Sequence, residues 1–213
     1  MKQTGYLLVN SITLIFTLVM NYLSGTGLLG GKTVGEVSAL YENLFTPAGY
    51  AFAIWGFIYL LLIAFVAYQW FAWFKRRQDD ELKKTGFWFA LANLANGFWI
   101  YAWTHLFIGL SVVLILILLF SLIMLTLRLR LEIWDAPLRT IAFVWWPICV
   151  YLGWIVVATV ANVSAFLVSI GWTGGPLTQT SWAIIMIAAA TVIYGLLIYT
   201  RNMREAAMVG IWA

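Results

Sequence analysis

Three groups of side chains in this sequence are spaced so that each lies along one helical face. Phe52, Trp55 and Tyr59 stand at i, i+3 and i+7, and Asn96, Trp99 and Trp103 repeat that spacing. Tyr151, Trp154, Ala158 and Asn162 continue it by a further turn. The chemistry such faces offer is noncovalent. Indole, phenyl and phenol rings stack on a flat apolar guest, while two amides and a hydroxyl can orient its polar edges. Gly56, Ala95, Gly97 and Ala158 are small enough to leave space beside the rings. A packed aromatic core without a guest is the competing reading, in which Asn96 and Asn162 act as hydrogen-bonding glue between helices.

Other chemistries are poorly served. One cysteine, Cys149, excludes an internal disulfide and a cysteine-cluster metal site, and one histidine, His105, excludes a multi-histidine metal or haem centre. No metal site is expected. The predicted spans carry no Asp or Glu, hence no general acid–base pair and no ionisable group of the kind that couples transport to ions. They also lack a lysine for a retinal Schiff base. His105 falls at the end of the third span, where a structural or interfacial role is expected.

The elements that must position these faces are membrane helices. Of 213 residues, 64% are hydrophobic and 9% charged, against roughly 25% charged in soluble domains. A chain in lipid must satisfy its backbone internally, and long unbroken apolar runs such as 110–127 suit helices rather than a barrel. Six stretches approach the roughly 20 residues needed to cross a bilayer: 6–23, 49–74, 86–107, 108–127, 141–172 and 181–200. The expected fold is an all-α integral membrane bundle of about six helices in one domain, residues 1–213. The fifth stretch is long enough to tilt, or to bend where Pro147 removes a backbone donor. The first could act as a signal peptide, but it is long and no A-x-A-like site follows it cleanly.

With six alternating spans, Lys2, Lys75, Arg76, Arg77, Lys83, Lys84, Arg128, Arg130, Arg139, Arg201 and Arg204 share one side, and only Lys32 lies on the other. The positive-inside rule then places both termini in the cytoplasm, in a cell inner (plasma) membrane. The same distribution explains the net charge of +4 without nucleic acid. Residues 24–48 form a long outer loop suited to a lid, with a short amphipathic helix expected over 34–44. Of the 13 tryptophans, Trp70, Trp73, Trp88 and Trp134 fall near the inner surface and Trp172 and Trp182 near the outer one, as interfacial anchors do.

These residues resemble the signatures of the TspO/MBR family of tryptophan-rich sensory proteins, which includes the translocator protein. The run Phe45, Pro47, Gly49, Phe52, Trp55 and Tyr59 is similar, with one residue fewer between Phe52 and Trp55, to the family pattern W-x-P-P-G-W-x-F-x-x-x-W-x-x-x-Y. Asn96 and Trp99 match its N-x-x-W, and Tyr151, Trp154, Ala158 and Asn162 match its P-Y-x-x-W-x-x-x-A-x-x-x-N apart from the proline. Phe45, Ala48, Tyr50 and Val150 replace a tryptophan, a proline, a tryptophan and a proline of those patterns. The resemblance covers about residues 10–165 and makes the stretch 181–200 an added helix. It implies a bundle that binds porphyrins or other flat hydrophobic ligands under the helix 1–2 loop, often as a homodimer. Carried onto this chain, the ligand-binding set is Phe52, Trp55, Tyr59, Asn96, Trp99, Trp103, Tyr151, Trp154, Ala158 and Asn162.

The function expected on these grounds is a membrane receptor or carrier for a tetrapyrrole-like or sterol-like molecule, with a bound tetrapyrrole as the candidate cofactor. Alternatives are a pigment-binding or structural subunit of a larger membrane complex and, behind it, a porphyrin-modifying enzyme.

Overall fold

The computed structural model describes residues 3–75 and 81–213. Lys2, Arg76 and Arg77, counted above as topology signals, lie outside the described residues. Among the described residues every regular element is helical. The long helices are α1 (Gln3–Gly25), α3 (Ile54–Phe74), α5 (Trp88–Thr104), α6 (Ile108–Leu129), α8 (Trp146–Ser169) and α9 (Gln179–Arg201). Shorter ones are α2 (Val34–Leu40), α4 (Glu81–Thr85), α7 (Leu138–Thr140) and α10 (Arg204–Trp212). Tight helical turns lead into α3 (Gly49–Ala53) and, as a wide π-type turn, into α8 (Ile141–Trp145).

Among the described residues, five helical segments are long and apolar enough to cross a membrane: α1, α3 with its leading turn, α6, the continuous α7–α8 rod, and α9. The third expected span, α5, has 17 residues, or about 26 Å at 1.5 Å per residue. It is shorter than the apolar stretch because Phe107 donates to the Ala102 carbonyl and Leu106 takes a left-handed backbone (φ 63°), ending the helix early.

The helices close into a ring. α1 packs on α3 and α5, α5 on α6, α6 on α8, and α8 back on α3. α8 is the most enclosed of the five candidate spans and α9 the least. Pro147 sits at the start of α8, directly after the π-type turn. Without its N–H the regular i→i−4 ladder cannot continue, which places the irregularity where the sequence suggested a bend.

The basic residues gather at one end. Arg128 Nε donates to the Lys84 carbonyl at 2.8 Å, and an Arg201 guanidinium N–H lies 3.5 Å from the Thr126 and Leu131 carbonyls. At the opposite end the 25–48 connection folds over the ring. Gly30, at φ +70°, approaches so closely that a Cβ there would fall 2.4 Å from the Thr104 carbonyl oxygen. The expected short helix forms over Val34–Leu40, begun by a capping box in which Thr33 and Glu36 bond each other's backbone N–H. The Thr33 N–H and the Thr33 hydroxyl, both donating to the exposed Glu36 carboxylate, hold it below the usual carboxylate range, with Lys32 assisting.

α10 has no counterpart among the six expected stretches. Asn202, left-handed at φ 54°, ends α9 and turns the chain back on itself. α10 then climbs along α8, burying Ala206 and Val209, until Trp212 Nε1 donates to the Ala51 carbonyl at 3.1 Å.

Candidate functional site

Beneath α2 the three aromatic faces meet. Trp55 on α3 is the hub: it stacks on Tyr59 (5.4 Å between centroids, 16°) and lies 6.0–6.1 Å from Trp99, Tyr151 and Trp154. Phe52 meets Trp154 edge-on at 5.9 Å, and Trp99 stacks on Trp103 at 5.7 Å. These are the offset and edge-to-face separations that aromatic pairs favour. Ala158 and Asn162 line the same space from α8. All ten residues expected to act together are thus brought into one contiguous group.

The amides are wired into it. Trp99 Nε1 donates to Asn162 Oδ1 at 2.7 Å, and Asn162 Nδ2 donates to Ser111 Oγ at 2.8 Å. Ser111 in turn donates to the Ile108 carbonyl at 2.7 Å, so this relay is complete. The Asn96 amide donates to the Tyr151 hydroxyl. Ser111 was not among the expected residues. Its signal was a single hydroxyl in the otherwise apolar first half of the helix, residues 108–120.

Several polar atoms in the group have no hydrogen-bond partner. Trp154 Nε1 and Asn96 Oδ1 are buried and unpaired, and the Tyr59 hydroxyl sits beside Asn96 and Asn21 without a well-formed bond. Such atoms are costly in an apolar interior.

The space itself is small. A cavity of about 20 Å³, lined by Val34, Ser38, Pro47, Trp103 and their neighbours, lies among the rings. Two of the small residues expected to open it do not. Gly56 faces outward, and Gly97 is occupied by Phe16, whose Cε1 would lie 2.3 Å from a Cβ there. Gly97 therefore serves the close approach of α1 to α5. The lid is fastened by Trp103 Nε1, which donates to the Val34 carbonyl at 3.0 Å.

Across the wall formed by α8 residues 158–164 lies a roomier groove, about 360 Å³, between α8 and α9. Val160, Val163, Leu167 and Met186 make its apolar sides, with Trp172 and Trp182 at its mouth. Asn43 and Leu44 from the lid connection also reach it.

A family model described as TSPO-like protein matches residues 7–213. The chain belongs to the TSPO-like family. The match runs through α9 and α10, beyond the residues 10–165 that carry the motif resemblance, so the sixth stretch lies inside the matched region. No match was found among curated proteins or among solved structures. As a TSPO-like protein the chain is a multi-pass membrane protein with an aromatic cluster enclosed by its helices.

Six of the nine remaining tryptophans pair with one another near helix ends. Trp172 meets Trp182 at 5.1 Å, Trp134 meets Trp145 at 5.6 Å, and Trp70 meets Trp73 at 5.8 Å. His105 caps α5, its Nδ1 2.9 Å from the Tyr101 carbonyl and its ring 4.1 Å from that of Tyr101.

Proposed function

We propose that this TSPO-like protein is a membrane receptor or carrier that takes up a flat hydrophobic molecule of the tetrapyrrole or sterol class among Phe52, Trp55, Tyr59, Trp99, Trp103 and Trp154. The observation that carries this reading is the pair of unpartnered buried atoms, the Trp154 indole N–H and the Asn96 carbonyl oxygen, inside a box of stacked rings. A guest that supplies one acceptor and one donor would satisfy both while exchanging ring–ring contacts for ring–guest contacts.

The rings leave only a small cavity between them, so taking up a guest requires opening. The lid helix α2 and the Phe52 and Trp103 rings are the movable parts, because they lie at the cavity's edge. The α8–α9 groove offers an approach from the lipid side, with its mouth between two tryptophans. By the positive-inside rule the basic end faces the cytoplasm of a plasma membrane, and the lid faces outward.

The test is quenching of tryptophan fluorescence by protoporphyrin IX in detergent, comparing the native chain with Trp154→Leu and Asn96→Leu. Saturable quenching at micromolar porphyrin, weakened severalfold by both substitutions, is expected. Quenching that never saturates, or that ignores both changes, would remove the reading and leave the aromatic group as a packed core.

A further inference from the structure

At the basic end, away from the aromatic group, three side chains from three separate elements converge. Glu132 comes from the turn after α6, with a left-handed backbone at φ 58°; Cys149 comes from α8 and Glu205 from the first turn of α10. Their sulfur and carboxylate oxygen atoms all lie within 4.8 Å of one another.

Packing builds this convergence. Gly153 stands one turn above Cys149 on the same face of α8, and a Cβ there would fall 2.7 Å from the Ala206 carbonyl oxygen. Met203 and Ala206, on either side of Glu205, are fully buried. The contact of Arg201 with the Leu131 carbonyl fixes the turn that carries Glu132.

Two observations show that the protein alone leaves this cluster incomplete. Glu132 Oε1 and Glu205 Oε2 are shut off from solvent and accept no hydrogen bond. The Cys149 thiol is completely buried and free, and its sulfur lies in the same space. Burial, with the Glu205 carboxylate beside it, pushes the Glu132 carboxyl up to about 7, and Arg204 offsets only part of that. A compact positive charge is what the three groups together would favour.

We propose that Glu132, Cys149 and Glu205 form a three-ligand site for a soft divalent cation of the zinc class, with water in the fourth position. A thiolate beside two carboxylates suits zinc, which takes sulfur at about 2.3 Å and carboxylate oxygen at about 2.0–2.2 Å in tetrahedral geometry. Magnesium prefers oxygen ligands and near-octahedral water-rich shells. Rotation of the two flexible glutamates brings the ligand atoms to zinc distances. The thiol proton, and any proton on Glu132, leave to solvent as the cation enters. Because each ligand comes from a different element, the cation clamps α10 against α8 and the α6–α7 turn.

The probe is Co²⁺, which reports tetrahedral thiolate ligation in its visible and near-ultraviolet bands. Full-length protein in detergent, stripped with chelator, should take up one equivalent of Co²⁺ with a thiolate charge-transfer band, and Zn²⁺ should displace it. Cys149→Ser should abolish that band, and Glu205→Gln should weaken affinity roughly tenfold or more. As a second readout, Zn²⁺ but not Mg²⁺ should raise the melting temperature of the native chain, with the rise lost in Glu205→Gln. No charge-transfer band at micromolar Co²⁺, or binding and stabilisation indifferent to Glu205→Gln, would overturn the site.

Discussion

Asn162 serves two helices at once, accepting from Trp99 on α5 and donating to Ser111 on α6. Replacing it with leucine would orphan the Trp99 indole N–H in the interior, while the Ser111 hydroxyl keeps its own bond to the Ile108 carbonyl. Interhelical hydrogen bonds in membranes are worth about 0.6 kcal/mol on average, so losing two, with one partner orphaned, should cost about 1–2 kcal/mol in a denaturation series in mild detergent. Trp103 offers a contrasting test. Trp103→Phe keeps a ring but removes the bond to the Val34 carbonyl that fastens the lid. It should cost about 1 kcal/mol of stability and speed porphyrin association severalfold in stopped-flow quenching; an unchanged rate would mean that the lid does not gate the site. At this scale the sequence was informative about direction, less so about space. The spacing placed Asn96, Trp99, Trp154 and Asn162 facing inward because helical periodicity alone decides which face is shared. It could not show that Phe16 of α1 fills the notch at Gly97, since that depends on which helices become neighbours.

Element by element, the long helices were legible because lipid demands long apolar runs, and the turn at Pro147 because proline lacks a donor. α10 was not. Its nine residues are too few to span, and they open with Arg204 and Glu205, so nothing in the pattern indicates that the segment folds back along α8. Its docking rests on backbone proximity at Gly153 and on the Tyr194 ring of α9, whose Cε2 would lie 2.3 Å from a Cβ at Gly210; the Tyr194 hydroxyl ties α9 to α8 by donating to the Gly153 carbonyl at 2.7 Å. Gly153→Ala places a methyl group against the Ala206 backbone, an overpacking that costs about 1–3 kcal/mol. The expected result is release of α10, read as faster amide exchange across 204–212 with α1, α5 and α6 unchanged. Uniform loosening of the whole bundle would instead make Gly153 a determinant of the ring itself.

Considered as a whole, the molecule is a closed ring of α1, α3, α5, α6 and α8 with α9 set against it as an outrigger. α9 buries only Ala183, Ala190 and Tyr194, while Ile184, Ile187, Val192 and Leu196 stay exposed, as a lipid-facing helix would. The groove it leaves beside α8 should fill with acyl chains. Brominated phospholipid in nanodiscs is expected to quench Trp172 and Trp182 at the groove mouth strongly and the ring-enclosed Trp154 weakly. Equal loss of quenchable signal in Trp172→Phe and Trp154→Phe would show that the enclosure is open to lipid.

The hub at Trp55 also has an optical consequence. Indoles whose centres lie 5.7–6.1 Å apart pass excitation among themselves faster than they emit, so the polarisation of light absorbed by one ring is scrambled before a photon leaves another. The enclosed tryptophans should therefore emit with low anisotropy although packing holds each ring still. A single absorbing guest anywhere in the group would then darken all of them together, so the depth of quenching would count occupied molecules rather than identify which ring was touched.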